Sequence, residues 1–213
     1  MLSQTQYYHA LKGTPQDEAD QTFSGVVKAE VQKVVPDEPP NDTDIEDCIK
    51  RLNSNDSKLT EVNINNMLDT DRDHIHSLIE ACKKSTHIEK LLMANTAMRD
   101  SDVQEMSSML ESNTALRVLN IESNFLTGEM LANLLRATLK NQTLVEFHAE
   151  NQRQQQLGNQ IEMDMMRTIE ENDTLLRVGI AFNSMEARHR VSEALERNYE
   201  QRMLKLFLFD TFS

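Results

Sequence analysis

The chain lacks the features that mark several common classes of protein. Its 213 residues include no tryptophan, only five glycines and only two cysteines. Five glycines leave little material for a glycine-rich phosphate-binding loop, and two cysteines cannot form a disulfide framework. No stretch approaches the roughly 20 consecutive apolar residues that a membrane-spanning helix needs. We therefore expect neither a nucleotide-binding loop, nor a disulfide-stabilised domain, nor a membrane protein.

Positive charge is also scarce. The chain carries 22 Lys and Arg against 35 Asp and Glu, a net charge of −13. Because such a chain repels polyanions, nucleic acid and anionic membranes are not expected as its main partners. The first residues, MLSQTQYYHALKG, have neither a basic start nor an apolar run, so no secretory signal is expected. These absences indicate an intracellular, reduced, soluble protein. Its four Asn-x-Ser/Thr sequences are then expected to serve turns, at Asn41, Asn55, Asn141 and Asn172.

A leucine-rich unit recurs five times along the chain. The units begin at residues 59, 88, 116, 144 and 175, at intervals of 29, 28, 28 and 31 residues. Leucine-rich repeats have units of about 20–29 residues, each of which supplies one strand and one helix to a curved stack. The sequence therefore predicts an α/β fold, a right-handed leucine-rich-repeat solenoid. It would have five strand-helix repeats in a short horseshoe with helical caps, and we expect it to be a monomer.

Composition divides the chain into four predicted segments. Residues 1–11 form a short helical segment, and residues 12–43 form an acidic, proline-containing linker. Residues 44–205 form the repeat domain, which opens with a capping helix after Asp44 and closes with a helix that ends near Lys205. Residues 206–213 complete an apolar tail that either folds back on the last repeat or is exposed and adhesive.

Each unit is predicted to follow one plan. The position three residues before the first leucine is always polar, which suits the turn between the preceding helix and the strand. In the strand core, as at Val62–Ile64, the two outer residues point inward and the residue between them faces the concave surface. The polar turn residues are Asp56, Ser85, Asn113, Asn141 and Asn172.

Catalytic and metal-binding patterns are not found. The cluster between Asp71 and His76 contains ligand-type side chains, but on a helix His74 and His76 lie about 200° apart and cannot share a metal ion. No zinc-protease motif or nucleophile elbow occurs. Cys48 and Cys82 lie on apolar helical stripes, where we expect buried free thiols. We expect no enzyme, no metal and no cofactor.

The remaining candidates for function are surfaces. Loops that leave the strands of a rigid scaffold usually carry recognition residues, and here they are 123–127, 151–158 and 183–190. The loop at 150–158 is polar and too long for a plain repeat turn. The last helix is more basic than the rest of the chain, which suits an acidic protein surface.

Four separated strings resemble the tropomodulin family. They are LNIESNFLTG at 119–128, the NQRQ loop with its LG ending at 151–158, LTEVNINNMLDT at 59–70 and PDEPPNDTD at 36–44. The resemblance runs from about Val34 to Arg190 and more loosely to both ends. It implies an actin-binding protein that caps the slow-growing pointed end of filaments, with tropomyosin as a second partner.

The resemblance also suggests where these partners would bind. We expect actin contacts at Asn124, Phe125, Asn151, Arg153, Arg188 and Arg190. Tropomyosin contacts, expected to be weak, would involve Tyr7, Tyr8 and Leu11. The first tropomyosin-binding and actin-binding segments of the family have no counterpart in this sequence, which suggests a short isoform or a truncated chain. The expected location is the cytoplasm, on actin thin filaments of the cytoskeleton.

Three other interpretations of the sequence remain open. Without the N-terminal arms the chain could bind actin only weakly, as a side-binder or competitor, because linked sites contribute avidity. Leiomodin-like nucleation would need a longer C-terminal extension than this sequence has. A leucine-rich regulator of a small GTPase shares the strand-helix plan and a repeat near 28 residues, so periodicity alone does not exclude it.

Overall fold

A computed structural model describes residues 41–153 and 157–211, all of which belong to one compact unit, Pro40–Ser213. Tyr7, Tyr8, Leu11 and nearly all of the predicted linker lie outside the described residues. The five strands are β1 (Glu61–Asn63), β2 (Lys90–Leu92), β3 (Val118–Asn120), β4 (Glu146–His148) and β5 (Arg177–Gly179). The helices are α1 (Ile45–Asn53), α2 (Arg72–Lys84), α3 (Val103–Ser112), α4 (Gly128–Ala137), α5 (Asn159–Glu171) and α6 (Met185–Thr211).

The strands form one parallel sheet in chain order, from β1 to β5. The register pairs the middle residues of successive strands, so that equivalent positions of the repeat stack in a row. The side chains of these middle residues point into the core, and the residues on either side of them in each strand lie on the open face of the sheet. The stacked middle residues are Val62, Leu91, Leu119, Phe147 and Val178. This architecture confirms the predicted leucine-rich-repeat solenoid.

Each helix packs against the helix of the next unit, and the two end helices close the stack. Helix α1 begins after Asp44, whose carboxylate accepts a hydrogen bond from the Asp47 backbone N–H at 3.0 Å. Its apolar stripe of Ile45, Cys48 and Leu52 is buried. Helix α6 covers α5 at the other end.

Both cysteines are buried free thiols, as the sequence predicts. Burial raises the pKa of the Cys82 thiol to about 12, with a smaller contribution from Cys48. Burial also raises the pKa of Cys48. Neither thiol is therefore ionised to a useful extent near neutral pH.

The last helix is longer than the sequence analysis predicts. It continues beyond Lys205 to Thr211, so the apolar residues after 205 extend the helix as far as 211 and do not form a separate tail. The segment contains neither glycine nor proline, and its leucines and phenylalanines do not stop a helix. No helix in 41–153 or 157–211 is long and apolar enough to cross a membrane.

Buried asparagines join the units on the side where helices lead into strands. Asn141 lies in the turn before β4 and is only 2% exposed. Its side-chain oxygen accepts hydrogen bonds from the Thr143 and Leu144 backbone N–H groups, at 2.9 and 2.7 Å. Its amide nitrogen donates to the carbonyl oxygens of Leu110 and Asn113 in the preceding unit, at 2.8 and 2.9 Å. One side chain therefore shapes its own turn and also provides hydrogen-bond donors for two carbonyls of the preceding unit.

The same arrangement repeats along the stack. Asn113 bonds the carbonyls of Cys82 and Ser85, and Asn172 bonds the carbonyl of Thr138. At the end of the row, Asn198 of α6 donates to the carbonyls of Asn172 and Leu175, at 2.9 and 3.0 Å.

Replacing Asn141 by alanine should destabilise the domain strongly. The change removes three bonds that the Asn141 side chain accepts and two that it donates, and it leaves two buried carbonyls without partners. We therefore expect a loss of about 3 kcal/mol in the free energy of unfolding. Urea unfolding followed by circular dichroism measures this loss. The control is Gln142→Ala at the next, exposed position, which should cost less than about 0.5 kcal/mol. Equal stability of the two variants would contradict this role of Asn141.

Candidate binding edge at the ends of the strands

The loops that leave the five strands lie side by side, because the strands are parallel and in register. We call this row of loops the strand-end edge: residues 64–71, 93–99, 121–127, 149–153 with 157–158, and 180–184. Backbone hydrogen bonds connect neighbouring loops. The Asn95 N–H donates to the Glu122 carbonyl and the Ser123 N–H donates to the Glu150 carbonyl, both at 2.9 Å. The edge is therefore one continuous surface held by the sheet.

A left-handed backbone residue recurs at the same place in four of these loops. Asn151 has a φ of 57° and Ser123 a φ of 55°, and Asn66 and Asn95 have similar values. Asparagine tolerates this conformation better than most residues other than glycine. The side chain of Asn151 is exposed. The predicted binding residue Asn151 therefore also has a local role in shaping its turn.

Phe125 and Arg153, two of the predicted binding residues, contact each other across adjacent loops. The guanidinium carbon of Arg153 lies 5.8 Å from the centroid of the Phe125 ring, within the range of a cation–π interaction. The backbone N–H of Arg153 donates to the Asn124 carbonyl at 3.1 Å. The Phe125 ring is still 43% exposed. Together they present an aromatic surface and a positive charge to solvent.

The structure corrects the prediction for Asn124, whose side chain is 2% exposed and cannot reach a partner. Its amide nitrogen donates to the carbonyls of Met93 and Ile121, both at 2.9 Å. Its side-chain oxygen accepts from the backbone N–H groups of Thr96 and Met98, both at 3.0 Å. Asn124 holds the loop that presents Phe125.

Gln152 has the same structural role one unit later, and it is not among the residues predicted from the sequence. It is 6% exposed, and its amide donates to the Ile121 carbonyl at 2.8 Å while its oxygen accepts from the Leu126 N–H at 3.1 Å. Its place in the repeat is a signal that could have identified it, since it stands 28 residues after Asn124. The adjoining loop residues 154–156 lie outside the described residues.

A hollow of about 230 Å³ opens in the edge between the loops that follow β4 and β5. Leu131, Leu157 and Ile180 supply its apolar surface, and the segment 149–152 with Ala181 forms the rest of the lining. Asn151 lies at this hollow. Its size and lining suit an inserted apolar side chain of a partner better than a cofactor.

Arg188 and Arg190, near the start of α6, differ in their availability. Arg190 is tied to its own domain, because its Nε donates to the Glu170 carboxylate of α5 at 2.7 Å. Arg188 is exposed, and its guanidinium makes only two weak hydrogen bonds, to the Asn183 carbonyl at 3.3 Å and to the Met185 sulfur at 3.2 Å. The expectation that both are binding cations therefore fits Arg188 better than Arg190.

A buried carboxylate fixes the start of α6. Glu162 of α5 is 2% exposed, and its Oε2 accepts hydrogen bonds from the backbone N–H groups of Asn183 and Ser184 at 3.0 and 2.8 Å. Its Oε1 accepts from the Asn183 side chain at 3.2 Å. A negative charge at the first N–H groups of a helix is favourable. Glu162, which the sequence analysis does not identify, therefore positions Arg188.

Asp102 has a similar role at the start of α3. Its Oδ2 accepts from the Arg99 backbone N–H and its Oδ1 from the Arg72 guanidinium, both at 2.8 Å. Burial of the side chain acts to raise its pKa, but the hydrogen bonds from Arg99, Arg72 and Ser101 outweigh it and hold the pKa below its ordinary value. The carboxylate therefore stabilises the fold in its charged form.

The histidines of the Asp71–His76 cluster have separate partners. His74 lies 3.8 Å from the Glu46 carboxylate, whereas His76 contacts Glu105 and lies 3.6 Å from Asp102. Within the described ranges, no group of three or more histidine, cysteine, aspartate or glutamate side chains could hold a metal ion.

A family model described as the TMOD/LMOD leucine-rich domain matches residues 41–201, which include all five strands and the whole edge. The chain belongs to this tropomodulin and leiomodin family. Among its relatives, Caenorhabditis elegans tropomodulin is 60% identical over 206 residues, which are 96% of this chain and 53% of that protein. Human tropomodulin-4 is 38% identical over 95% of this chain and 58% of its own length. The predicted family resemblance is confirmed.

Two solved structures of the family share the fold. The C-terminal domain of C. elegans tropomodulin superposes with a TM-score of 0.75 at 61% identity, over 78% of this chain and 99% of that one. A leiomodin-1 domain called actin-binding site 2 superposes with a TM-score of 0.76 at 30% identity, over 80% and 98%. This chain spans little more than half the length of the tropomodulins that it matches.

Changing Asp102 to asparagine should give a pH-dependent loss of stability. Because the folded pKa is depressed, the carboxylate contributes stability above the ordinary aspartate pKa of about 4 and loses it as the pH falls through the lower folded value. We expect the variant to be less stable by about 2 kcal/mol near neutral pH, and the gap to shrink below about pH 4. Urea unfolding at several pH values measures the gap.

Asp69→Asn is the matched control, since Asp69 is exposed and makes no hydrogen bond or ion pair within the described residues. Its stability should stay within about 0.5 kcal/mol of the parent chain at each pH. A loss for Asp102→Asn that does not depend on pH would show that the charge is not what stabilises the fold.

Proposed function

We propose that this chain is a non-enzymatic actin-binding protein that caps the pointed end of actin filaments. The observation that carries the proposal is the match to the leiomodin-1 domain named actin-binding site 2, which extends over 98% of that domain at 30% identity. Membership of the tropomodulin and leiomodin family supports the same conclusion. The proposal concerns this chain, which spans about half of its tropomodulin relatives.

The strand-end edge has the properties of a protein-binding surface. It presents the exposed Phe125 ring beside Arg153, a partly apolar hollow lined in part by Asn151, and the exposed cation Arg188. Aromatic residues and arginines are enriched among the residues that dominate binding energy in protein interfaces. The sheet and the buried side chains beneath hold these groups in place, so little ordering entropy is lost on binding.

Capping would follow simply from occupation of the filament end by the domain. A rigid domain bound across the terminal subunits of a filament excludes the next subunit, and this needs no chemical step. The exposed groups would therefore determine affinity, while Asn124, Gln152 and Glu162 would act indirectly by holding the loops. Arg190 belongs with these supporting residues because of its ion pair with Glu170.

We further propose that the chain acts as a monomer on actin thin filaments of the cytoskeleton, with tropomyosin as a second partner. Tyr7, Tyr8 and Leu11, which lie outside the described residues, are the candidate tropomyosin contacts. A short segment of this kind offers little binding energy alone, so its effect would depend on simultaneous binding of the domain to actin.

Truncating the aromatic anchor or reversing nearby charges should weaken capping. We expect Phe125→Ala, Arg153→Glu and Arg188→Glu each to raise the concentration for half-maximal inhibition of pointed-end elongation, Phe125→Ala by at least about tenfold. The measurement uses filaments blocked at the other end. Circular dichroism and thermal unfolding should show that each variant stays folded.

Arg167→Glu is the matched control, because Arg167 is an exposed arginine of α5 outside the edge and without an ion pair among the described residues. It should inhibit elongation like the parent chain. If the parent chain leaves pointed-end growth unchanged while it still co-sediments with filaments, it binds actin without capping it. If it does neither, the actin proposal is wrong.

Tropomyosin should strengthen inhibition if the N-terminal segment is active. We expect the parent chain to inhibit tropomyosin-coated filaments at lower concentration than bare filaments, because two linked sites bind together. Replacing Tyr7, Tyr8 and Leu11 by alanine should abolish this difference and leave inhibition of bare filaments unchanged. No enhancement by tropomyosin in the parent chain would contradict the role proposed for residues 1–11.

A further inference from the structure

A second hollow lies on the opposite side of the sheet from the strand-end edge, where the strands begin. It measures about 270 Å³ and is bounded by the turns that lead into β3, β4 and β5 and by one face of α6. Val145 and Leu176 contribute its apolar part. We call it the α6 cleft.

Three cations line the α6 cleft: Arg117, Arg202 and Lys205. Within the described residues, none of their side chains makes an ion pair or a hydrogen bond. This differs from the cations of the sheet face, where Lys90 pairs with Glu61 and Arg177 pairs with Glu146, both at 3.1 Å. Unpaired cations that converge on one hollow are notable in a chain of net charge −13.

Two uncharged side chains offer further hydrogen-bond donors to the α6 cleft. The amide side chains of Gln142 and Gln201 line it and make no hydrogen bond within the described part of the chain. One carboxylate, that of Asp173, is also present in the lining. Three positive charges and one negative charge leave an excess of two positive charges in the cleft.

Hydrogen bonds fix the turn before β3 and the helix α6, which carry the three cations. The Arg117 backbone N–H donates to the Glu89 carbonyl at 2.8 Å, and the Arg117 carbonyl accepts from the Val145 N–H at 2.8 Å. Helix α6 is fastened beside the cleft by Asn198 and by Arg197, whose guanidinium donates to the Glu170 and Asn172 carbonyls at 3.0 Å. Asn198 belongs to the lining and spends its own amide donors on these bonds, whereas the side chains of the three cations remain available.

We propose that the α6 cleft binds a doubly charged phosphate group. The two excess positive charges match a phosphate dianion better than a carboxylate. Each arginine can bind two phosphate oxygens through two parallel N–H bonds, and lysine adds a point charge. The size of the hollow suits a small anion. The phosphate group could belong to free phosphate or to the inositol-phosphate headgroup of a lipid. This site is separate from the strand-end edge and does not depend on actin binding.

Heteronuclear NMR titration of the full chain tests the proposal. The probes are inorganic phosphate and inositol trisphosphate, each compared with sodium chloride at equal ionic strength because surface charges are screened by salt. We expect saturable shifts confined to residues near 117, 142, 173 and 201–205. Inositol trisphosphate carries more negative charge, so somewhat tighter binding of it is expected from charge alone. Saturable binding of inositol trisphosphate without saturable binding of phosphate would identify a lipid headgroup as the ligand, and similar affinities would identify free phosphate.

Charge-neutral variants locate the site. Arg117→Gln and Arg202→Gln should each weaken binding by about tenfold, because each removes a charge-assisted hydrogen-bond donor. Lys205→Gln provides a third test on the helix alone, should the change at Arg117 disturb the strand. Arg167→Gln, which removes an unpaired arginine elsewhere on the surface, should change affinity by less than about twofold.

Two results would overturn the proposal. One is a set of shifts that never saturates and spreads over exposed cations including Arg167, which would mean diffuse screening. The other is saturable binding that is unchanged in the Arg202→Gln and Lys205→Gln variants, which would place the ligand elsewhere.

Discussion

The hydrogen bonds that buried side-chain amides make between units are the constraint on which the rest of this solenoid depends. A single strand-helix unit cannot bury its own apolar face, and the turns at its ends leave backbone carbonyls without partners. Packing of neighbouring units buries the apolar faces, and Asn113, Asn141 and Asn172 provide partners for the carbonyls, since each shapes one turn and bonds to carbonyls of the turn before it. Asn198 of α6 ends the series, so the closing helix is docked by the same chemistry as the repeats.

The opposite edge uses the same principle for a different purpose. Asn124 and Gln152 are buried beneath the loops of the third and fourth units. Asp102 and Glu162 accept hydrogen bonds from backbone N–H groups of the loop residues just before two helices. Because these groups satisfy much of the loop backbone from within, Phe125 is not needed for that purpose. Phe125 is thereby left with an exposed ring that a partner can contact.

Much of this organisation could be predicted from the sequence. The repeat intervals indicated five strand-helix units, and the polar residue before each unit indicated a turn. Asn124 shows where such prediction ends: it stands in a loop, which suggested a contact residue, but it is buried. Arg190 is similar, because its pairing with Glu170 joins positions 20 residues apart on two packed helices. A pattern within one unit cannot reveal which carbonyl or carboxylate a neighbouring unit brings to it.

The sequence by itself determined the repeat, the strand-helix plan of each unit and the family, because these follow from spacing and from local strings of residues. The tertiary structure decided which polar residues are structural and which are available. Phe125 and Arg153 are in contact only in the folded chain, and Arg190 forms an ion pair with α5 that Arg188 lacks. Arg117, Arg202 and Lys205 line the same cleft. The physical reason is that burial and pairing depend on neighbours distant along the chain, which only the stacking of units places in contact.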